Sequence, residues 1–512
     1  MHSAEPASAM ATHPLRFLQR GQAVTLHHVA PDRTLLELLR EDLGCTAVKE
    51  GCAEGDCGAC TVVLGHMQGD QLRYSAVNSC IRLAHSVNGM ALWTAQDLAQ
   101  DPLIQPPAGT AVTAAAPSST LHPAQEAMVL CHGSQCGFCT PGVVMSLFGM
   151  YQNHASKGQP ITREMAQEAL SGNLCRCTGY RPILDAAQKM ASMPAMAVNE
   201  PLLLEKLAGL ATPEPVPACK SRYILPTTLT ELLAARSAHP TAQVVAGCTD
   251  VGLWITKQHR QHEQILDLTR VPDLCSIEQT ADHIAIGAAV TLTDAFAALS
   301  EQWPQLRPFA ARFASLPLRN SGTLGGNVAN GSPIGDSMPL LIAIRARVVL
   351  TSLRGERDMA LEDLYQGYRQ NAMAPDELLL RIVVPRPTVS ELLRAYKISK
   401  RFDSDISTVC LVINLDLDAD GVRRASIGAG GVASTPARAR QTEATLTGQP
   451  WSAETLARAA QALQNEFTPI SDLRASSSYR SRVLASLLQR FWLESQGERW
   501  VSVEHFRLDP ST

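Results

Sequence analysis

The sequence predicts a multidomain α+β chain: a small β-grasp domain, a four-helix domain, a longer α+β region, and a small α+β domain at the C-terminal end. Three observations predict it. Short alternating strands flank a Gly-rich loop within residues 15–100, amphipathic stretches with helix-start signals fill 121–192, and from about 220 short apolar runs alternate with helical patterns. The length of 512 residues allows about three or four domains of roughly 100–200 residues each.

The elements follow in order. Phe17–Gln19 and Ala23–His28 read as a hairpin around Arg20-Gly21. Thr34–Glu41 reads as a helix with Leu35, Leu36, Leu38 and Leu39 on its apolar face. A strand over Cys60–Leu64, a turn over Gly65–Asp70 and a strand around Tyr74–Asn78 complete the pattern. Residues 101–120 are rich in Pro, Ala, Thr and Ser and read as a linker. They open a second domain, 101–193, whose helices are expected over Pro123–Cys131, Pro141–Ser156, Thr162–Leu170 and Pro182–Met193. Pro141 suits a first turn, and Thr162 suits an N-cap. The prolines at 201, 213, 215 and 217 mark 194–217 as an interdomain linker.

The α+β region occupies 218–390, with strands over Gln243–Ala246, Ile284–Ile286, Arg347–Thr351 and Leu378–Val384. The last domain, 391–512, has strands over Ser407–Leu417 and Arg423–Val432, then helices over Ala453–Glu466 and Ser476–Glu494.

Two cysteine groups carry the chemistry. Cys52, Cys57 and Cys60 form C-x4-C-x2-C, with Cys80 following; this is plant-type [2Fe–2S] ferredoxin spacing. Cys136 and Cys139 form C-x2-C, and Cys175 and Cys177 form C-x-C. Each group supplies four thiolates, enough for one [2Fe–2S] cluster. Glycines 51, 55 and 58 let the first loop fold tightly over such a cluster. Zinc also accepts four thiolates but usually takes paired knuckles, which C-x4-C-x2-C is not. A Rieske-type centre needs two histidines in place of two cysteines, and His85 and His132 are not needed where four cysteines already stand. Cys45 and Cys131 fall outside the spacings and read as small core residues. Cys219, Cys248, Cys275 and Cys410 are scattered and form no motif.

Ten of the 14 cysteines precede residue 178, and the N-terminus lacks a basic start followed by an apolar core. Metal in a reducing compartment, with the cytoplasm as the simplest location, is therefore preferred to disulfides. A net charge of −4 gives no reason to expect nucleic acid or an anionic membrane surface, and no apolar run reaches the length of a spanning helix.

A third signal is Arg319–Asp336, RNSGTLGGNVANGSPIGD, whose Gly-Gly pair allows close backbone approach to a pyrophosphate. It is not G-x-G-x-x-G, so a Rossmann site is not indicated. The segment Ala246–Asp250, AGCTD, is its companion.

KEGCAEGDCGACTV, HGSQCGFCTPG, SGNLCRCTGYRPI and GTLGGNVANGSPIGD occur in the order of the xanthine dehydrogenase family, and from about residue 15 to 505 the chain resembles that family's small iron–sulfur/FAD subunit. The resemblance implies a plant-ferredoxin-like domain, a helical [2Fe–2S] domain, an FAD domain of the vanillyl-alcohol-oxidase type and a C-terminal flavoprotein domain. It also carries FAD contacts onto this chain. Val244, Val245, Ala246, Gly247, Cys248, Thr249, Asp250 and Val251 would line the adenine and pyrophosphate side. Thr323, Gly325, Gly326, Asn327 and Asp336 would hold the pyrophosphate and ribityl chain, and Phe313 and Leu379 would pack on the adenine. Lys397 would stand on the flavin side, Asp405 near the ring, and Tyr368 near the nicotinamide approach. The family often has Asn at the place of Cys248 and Glu at that of Asp250.

The resemblance further implies a partner: a large molybdopterin-binding subunit that hydroxylates the purine, in a two-plus-two heterotetramer. No catalytic residue for hydroxylation is expected on this chain. Electrons would pass through the helical-domain cluster, the ferredoxin-like cluster and FAD to NAD+. The alternatives are the same role in an aldehyde or other N-heterocycle hydroxylase, a stand-alone iron–sulfur flavoprotein reductase, and a zinc scaffold.

Overall fold

The computed structural model describes residues 14–69, 71–106, 121–210, 222–402 and 404–498. Cys219 and the linker positions 107–120 and 211–217 lie outside them. The chain divides into two compact units. One comprises 1–272 with 314–322, the other 273–313 with 323–512.

The first unit begins with a five-stranded mixed sheet in the order Gln22–Leu26, Leu15–Gln19, Ala91–Trp93, Thr61–Gln68, Gln71–Asn78. The first and last chain segments of the sheet pair in parallel through Leu18 and Ala91; the other pairings are antiparallel. Thr34 and Glu37 form a reciprocal capping box, and the helix Leu35–Glu37 continues as a wider π-type turn, Leu38–Asp42. Leu35, Leu36, Leu38 and Leu39 are buried with Phe17, Val62 and Leu64, as their spacing predicts.

The turn expected over Gly65–Asp70 is corrected. The strand runs through Gly65 to Gln68, and the chain turns at Gly69, φ 58°. Gly65 is a packing glycine: a Cβ there would stand 2.8 Å from the Trp93 ring.

Four helices follow: Pro123–Leu130, Thr140–Asn153, Arg163–Ala169 and Arg181–Lys189. Thr162 caps the third, accepting from Met165 N–H at 3.2 Å. The second is buried almost all round, which explains its uniformly apolar sequence. It lies against the mixed sheet, with Phe148 5.8 Å from Trp93 between ring centroids.

The expected linker 194–217 is also corrected. A strand, Ala197–Val198, and a helix, Glu200–Gly209, occupy much of it. Pro201 sits in the helix's first turn, where its missing N–H costs nothing, and Leu203 is fully buried. A parallel three-stranded sheet, Tyr223–Ile224, Ile265–Asp267, Gln243–Val245, completes the first unit.

The second unit holds a five-stranded antiparallel sheet in the order Ile277–Gln279, His283–Gly287, Leu378–Pro385, Arg347–Ser352, Gly355–Ala360. A four-stranded antiparallel sheet, Glu391–Ile398, Val409–Asp418, Gly421–Gly430, Ala437–Arg438, packs under the helices Ala453–Glu466 and Ser477–Ser495. Among the described residues no helix is long and apolar enough to cross a membrane.

Candidate cofactor sites

The first cysteine group is assembled by the sheet. Cys60 opens onto the strand Thr61–Gln68, Cys80 follows the strand Gln71–Asn78, and both are 2% exposed. Cys52 and Cys57 lie on the loop that precedes Cys60. The Cys52 sulfur accepts the backbone N–H of Glu54 at 3.4 Å and of Cys57 at 3.3 Å. Thiol contacts from Cys57 and Cys80, with these amides, hold Cys52 far below the usual thiol range. Cys57 and Cys80 are pushed far up, first by their contact with Cys52. The loop is tight because its backbone leaves no room. A Cβ at Gly51 would lie 2.8 Å from Cys57 Sγ, and one at Gly58 (φ 70°) 2.0 Å from the Gly172 carbonyl oxygen.

In the second group Cys139 sits at a helix end, Cys136 lies in the loop before it, and Cys175 and Cys177 lie in the loop between the helices Arg163–Ala169 and Arg181–Lys189. Cys139 immediately precedes the helix Thr140–Asn153, where outward N–H groups favour an anionic centre. Cys136 and Cys177 are exposed, Cys139 is half-buried and Cys175 buried. Burial, then contact with Cys175, raises Cys139 to about 12. Cys136 is lowered, first by the Phe138 amide and then by Cys177. Leu174, beside Cys175, donates its N–H to the Cys57 carbonyl at 3.0 Å, so the two ligand loops are joined directly.

Among the described residues no group of three or more His, Cys, Asp or Glu is disposed to hold a single metal ion. The sulfurs gather instead in two connected groups: Cys57 with Cys52, Cys52 with Cys80 and Cys80 with Cys60 in the first, and Cys136 with Cys177 and Cys139 with Cys175 in the second. Two thiolates to each of two irons is the donor arrangement of a [2Fe–2S] centre, so the residues fit that group. Of the other thiols, Cys45 is buried in the core and accepts from Gln19 Nε2 at 3.4 Å, Cys131 packs half-buried against the helical core, and Cys275 is exposed. His85 stacks on Tyr223 at 4.5 Å between centroids.

The residues matched to FAD contacts fall on both compact units. In the first, the strand Gln243–Val245 runs into Gly247, where a Cβ would lie 2.0 Å from the Ser321 carbonyl oxygen. Cys248 is buried in the left-handed region at φ 61°, a conformation that suits the Asn common in the family. Burial, then Asp267, raises its thiol to about 12. Thr249 and Asp250 lead into the helix Val251–Gln258.

In the second unit Thr323 caps the helix Leu324–Asn330, accepting from Gly326 N–H at 3.0 Å. A Cβ at Gly325 would strike Ala288 backbone at 2.5 Å, whereas one at Gly326 would meet only Thr323 Oγ1, at 2.8 Å. The two glycines thus differ: Gly325 permits packing, and Gly326 keeps the outer side of the turn slim. Asn327 Oδ1 accepts from Ser337 Oγ at 2.5 Å. Lys397 donates to Asp336 at 2.7 Å, both side chains almost fully buried, and Ser407 Oγ donates to the other carboxylate oxygen at 2.5 Å. Buried charges persist only when paired in this way. Phe313 packs against Phe296 at 5.2 Å, Leu379 is buried in its strand, Tyr368 is 59% exposed, and Asp405 accepts from Arg401 N–H at 2.8 Å. Ser407 escaped the sequence reading; it stands in the DSDIS run with Asp405, and only burial distinguishes it.

Four family models match in sequence. Residues 17–84 match a 2Fe-2S iron-sulfur cluster binding domain and 110–188 a [2Fe-2S] binding domain. Residues 219–387 match the FAD binding domain in molybdopterin dehydrogenase, and 394–495 the CO dehydrogenase flavoprotein C-terminal domain. The chain is 32% identical to a xanthine dehydrogenase of Drosophila pseudoobscura pseudoobscura, over 94% of this chain and 39% of that protein. It is 27% identical to aldehyde oxidase 4 of Cavia porcellus, over 94% of this chain and 39% of that protein. It thus spans about two fifths of the length of these curated relatives. A solved carbon monoxide dehydrogenase from Hydrogenophaga pseudoflava, which lacks the Mo-pyranopterin moiety of the molybdenum cofactor, superposes with TM-score 0.50 at 25% identity, covering 52% of this chain and 94% of that one.

Proposed function

Since the chain belongs to the iron–sulfur and flavin portion of the molybdenum hydroxylase family, we propose that it is the electron-transfer subunit of a xanthine dehydrogenase, serving purine hydroxylation at a molybdopterin centre on a partner chain and delivering the electrons to NAD+. Two [2Fe–2S] clusters and FAD supply the change from single-electron to two-electron chemistry that such a role requires.

The observation that carries this reading is the graded exposure of the two ligand sets. Cys136 and Cys177 are exposed, while Cys60 and Cys80 are buried. Electrons enter most readily at the exposed set. Around it Val129, Leu130, Phe138 and Tyr180 are exposed apolar side chains, the kind of surface a partner covers. The hydrogen bond from Leu174 to the Cys57 carbonyl then links the outer loop to the inner one. On the flavin side, the Gly325-Gly326 turn and the Lys397–Asp336–Ser407 group bind and orient a nucleotide cofactor, and Thr323 fixes the turn. The limits 15–100, 101–193, 218–390 and 391–512 are the proposed domains, and the cytoplasm is the proposed location.

The aldehyde oxidase relative favours one second reading: the same electron-transfer role beside a partner that oxidises an aldehyde or another N-heterocycle. Metal and flavin analysis of the chain purified with its companions tests both. Iron and sulfide for two clusters, one FAD and a molybdenum-bearing partner support the role, and activity of that complex on xanthine against aldehydes selects the substrate. Zinc in place of iron refutes it. Iron and FAD with no molybdenum partner favour a stand-alone reductase.

A further inference from the structure

The helix Val251–Gln258 begins beside the Ala246–Asp250 segment and ends on the first cysteine loop. Its last turn grips two consecutive carbonyls of that loop. Thr256 Oγ1 donates to the Ala53 carbonyl at 2.7 Å, and Lys257 Nζ donates to the carbonyl of Cys52 itself. The Lys257 ammonium also lies 3.8 Å from the Glu54 carboxylate. Further back the helix has no side chain at Gly252, where a Cβ would be 2.2 Å from the carbonyl oxygen of Ile81, the residue after Cys80. The helix therefore bears on the residues at both ends of the ligand set. Ala53 is held at φ 52°, an uncommon conformation for a non-glycine residue, at the very peptide that Thr256 holds.

We propose that Lys257 is a positioning residue that sets the reduction potential of the ferredoxin-like cluster. This rests on the assignment of Cys52, Cys57, Cys60 and Cys80 to a [2Fe–2S] centre. One-electron reduction adds one negative charge to a centre already ligated by four thiolates. A cation hydrogen-bonded to the carbonyl of a ligand cysteine stabilises the reduced state more than the oxidised one. Hydrogen bonding, net charge and solvent exposure are the levers by which a protein moves such potentials. Two features keep the effect modest. Lys257 is 44% exposed on its side chain, and Glu54 opposes it with a charge of the other sign. A change of about threefold in the reduction equilibrium is expected, ~28 mV at 59 mV per tenfold for one electron. The sign is fixed by the geometry: removing the cation makes the cluster harder to reduce, and removing the Glu54 carboxylate makes it easier.

The test is a redox titration of the holoprotein followed by EPR, which reads each cluster separately, with the helical-domain cluster as the internal reference. Lys257→Met should lower the midpoint of the ferredoxin-like cluster about threefold in equilibrium terms, Lys257→Arg should leave it in place, and Glu54→Gln should raise it. The reference cluster should not move in any of the three. An unchanged midpoint in Lys257→Met with both signals intact overturns the proposal. If Lys257→Met fails to assemble the cluster, Glu54→Gln decides: a rise supports the proposal, and no change overturns it. Absence of a ferredoxin-type signal in the parent protein would instead overturn the cluster assignment.

Discussion

Gly142→Ala sets helix propensity against packing at the junction of the two cluster-binding domains. Gly142 lies in the first turn of the helix Thr140–Asn153, directly after Cys139. By propensity alone, Gly to Ala in a helix is worth about 1 kcal/mol in favour of Ala. The surroundings reverse that expectation. A Cβ at 142 would stand 2.1 Å from the Gly58 carbonyl oxygen, 3.1 Å from its carbon and 3.3 Å from Ala59 Cα. The oxygen must retreat by about 0.9 Å to reach 3.0 Å, and it is backbone, not the end of a flexible side chain. It is also tied down, accepting from Thr61 Oγ1 at 2.7 Å, Thr61 N–H at 3.1 Å and Asn173 Nδ2 at 3.2 Å. Overpacking of this kind costs about 1–3 kcal/mol, with the fixed backbone oxygen placing this site at the upper end, so after the propensity gain a net loss of up to about 2 kcal/mol is expected.

The readouts are the rate at which visible cluster absorbance bleaches at a fixed elevated temperature and the EPR interaction between the two reduced clusters; both should change. Gly149→Ala is the control on the same helix, because its Cβ would meet only ordinary contacts, the nearest at 3.4 Å from Val63 Cγ2, and it should bleach no faster than the parent. Gly142→Ala that resists bleaching as well as Gly149→Ala, with an unchanged interaction, would refute the reasoning.

Three further outcomes are expected. Cys57→Ser should remove the ferredoxin-like cluster and block reduction of the flavin by substrate in the assembled enzyme, while direct reduction by NADH survives; stopped-flow flavin absorbance with each donor checks this. Gly326→Val should lower the FAD content of the purified protein by crowding the Thr323 cap at 2.8 Å; a normal FAD-to-protein ratio would sink the pyrophosphate assignment. His122 supplies a pH dependence. Its Nδ1 accepts from Ala124 N–H at 3.1 Å and its Nε2 faces the Met196 carbonyl at 3.3 Å, which fixes the neutral form, and burial lowers its pKa to about 3. Because the folded pKa is depressed, this stabilisation is complete above the unfolded value near 6.5 and is lost as pH falls towards 3. The loss is about 1.4 kcal/mol per pH unit, or ~2 kcal/mol at pH 5. Denaturant unfolding from pH 7 to 5 should show a shallower acid loss in His122→Asn, which retains a capping acceptor.

The chain is a multidomain α+β protein with two [2Fe–2S] domains, an FAD-binding domain and a C-terminal flavoprotein domain, and much of this was legible in the sequence. The reason is locality. Cluster ligands come in short spaced runs because neighbouring thiolates must meet one small centre. Helix starts are written in single side chains, as at Thr34 and Thr162. Leucine spacing alone placed Leu35, Leu36, Leu38 and Leu39 in one core. Tertiary structure decided what depends on distant partners. Gly65 reads as a turn residue but is a strand residue that makes room for Trp93. Pro201 reads as a linker signal but opens a helix because Leu203 has a core to enter. Gly58, Gly142 and Gly172 meet across more than 80 residues of sequence, and no local pattern marks backbone-to-backbone contact. The same holds for Lys257, whose sequence neighbours say only that it ends a helix; its place on the carbonyl of Cys52, 205 residues away, exists only once the chain has folded.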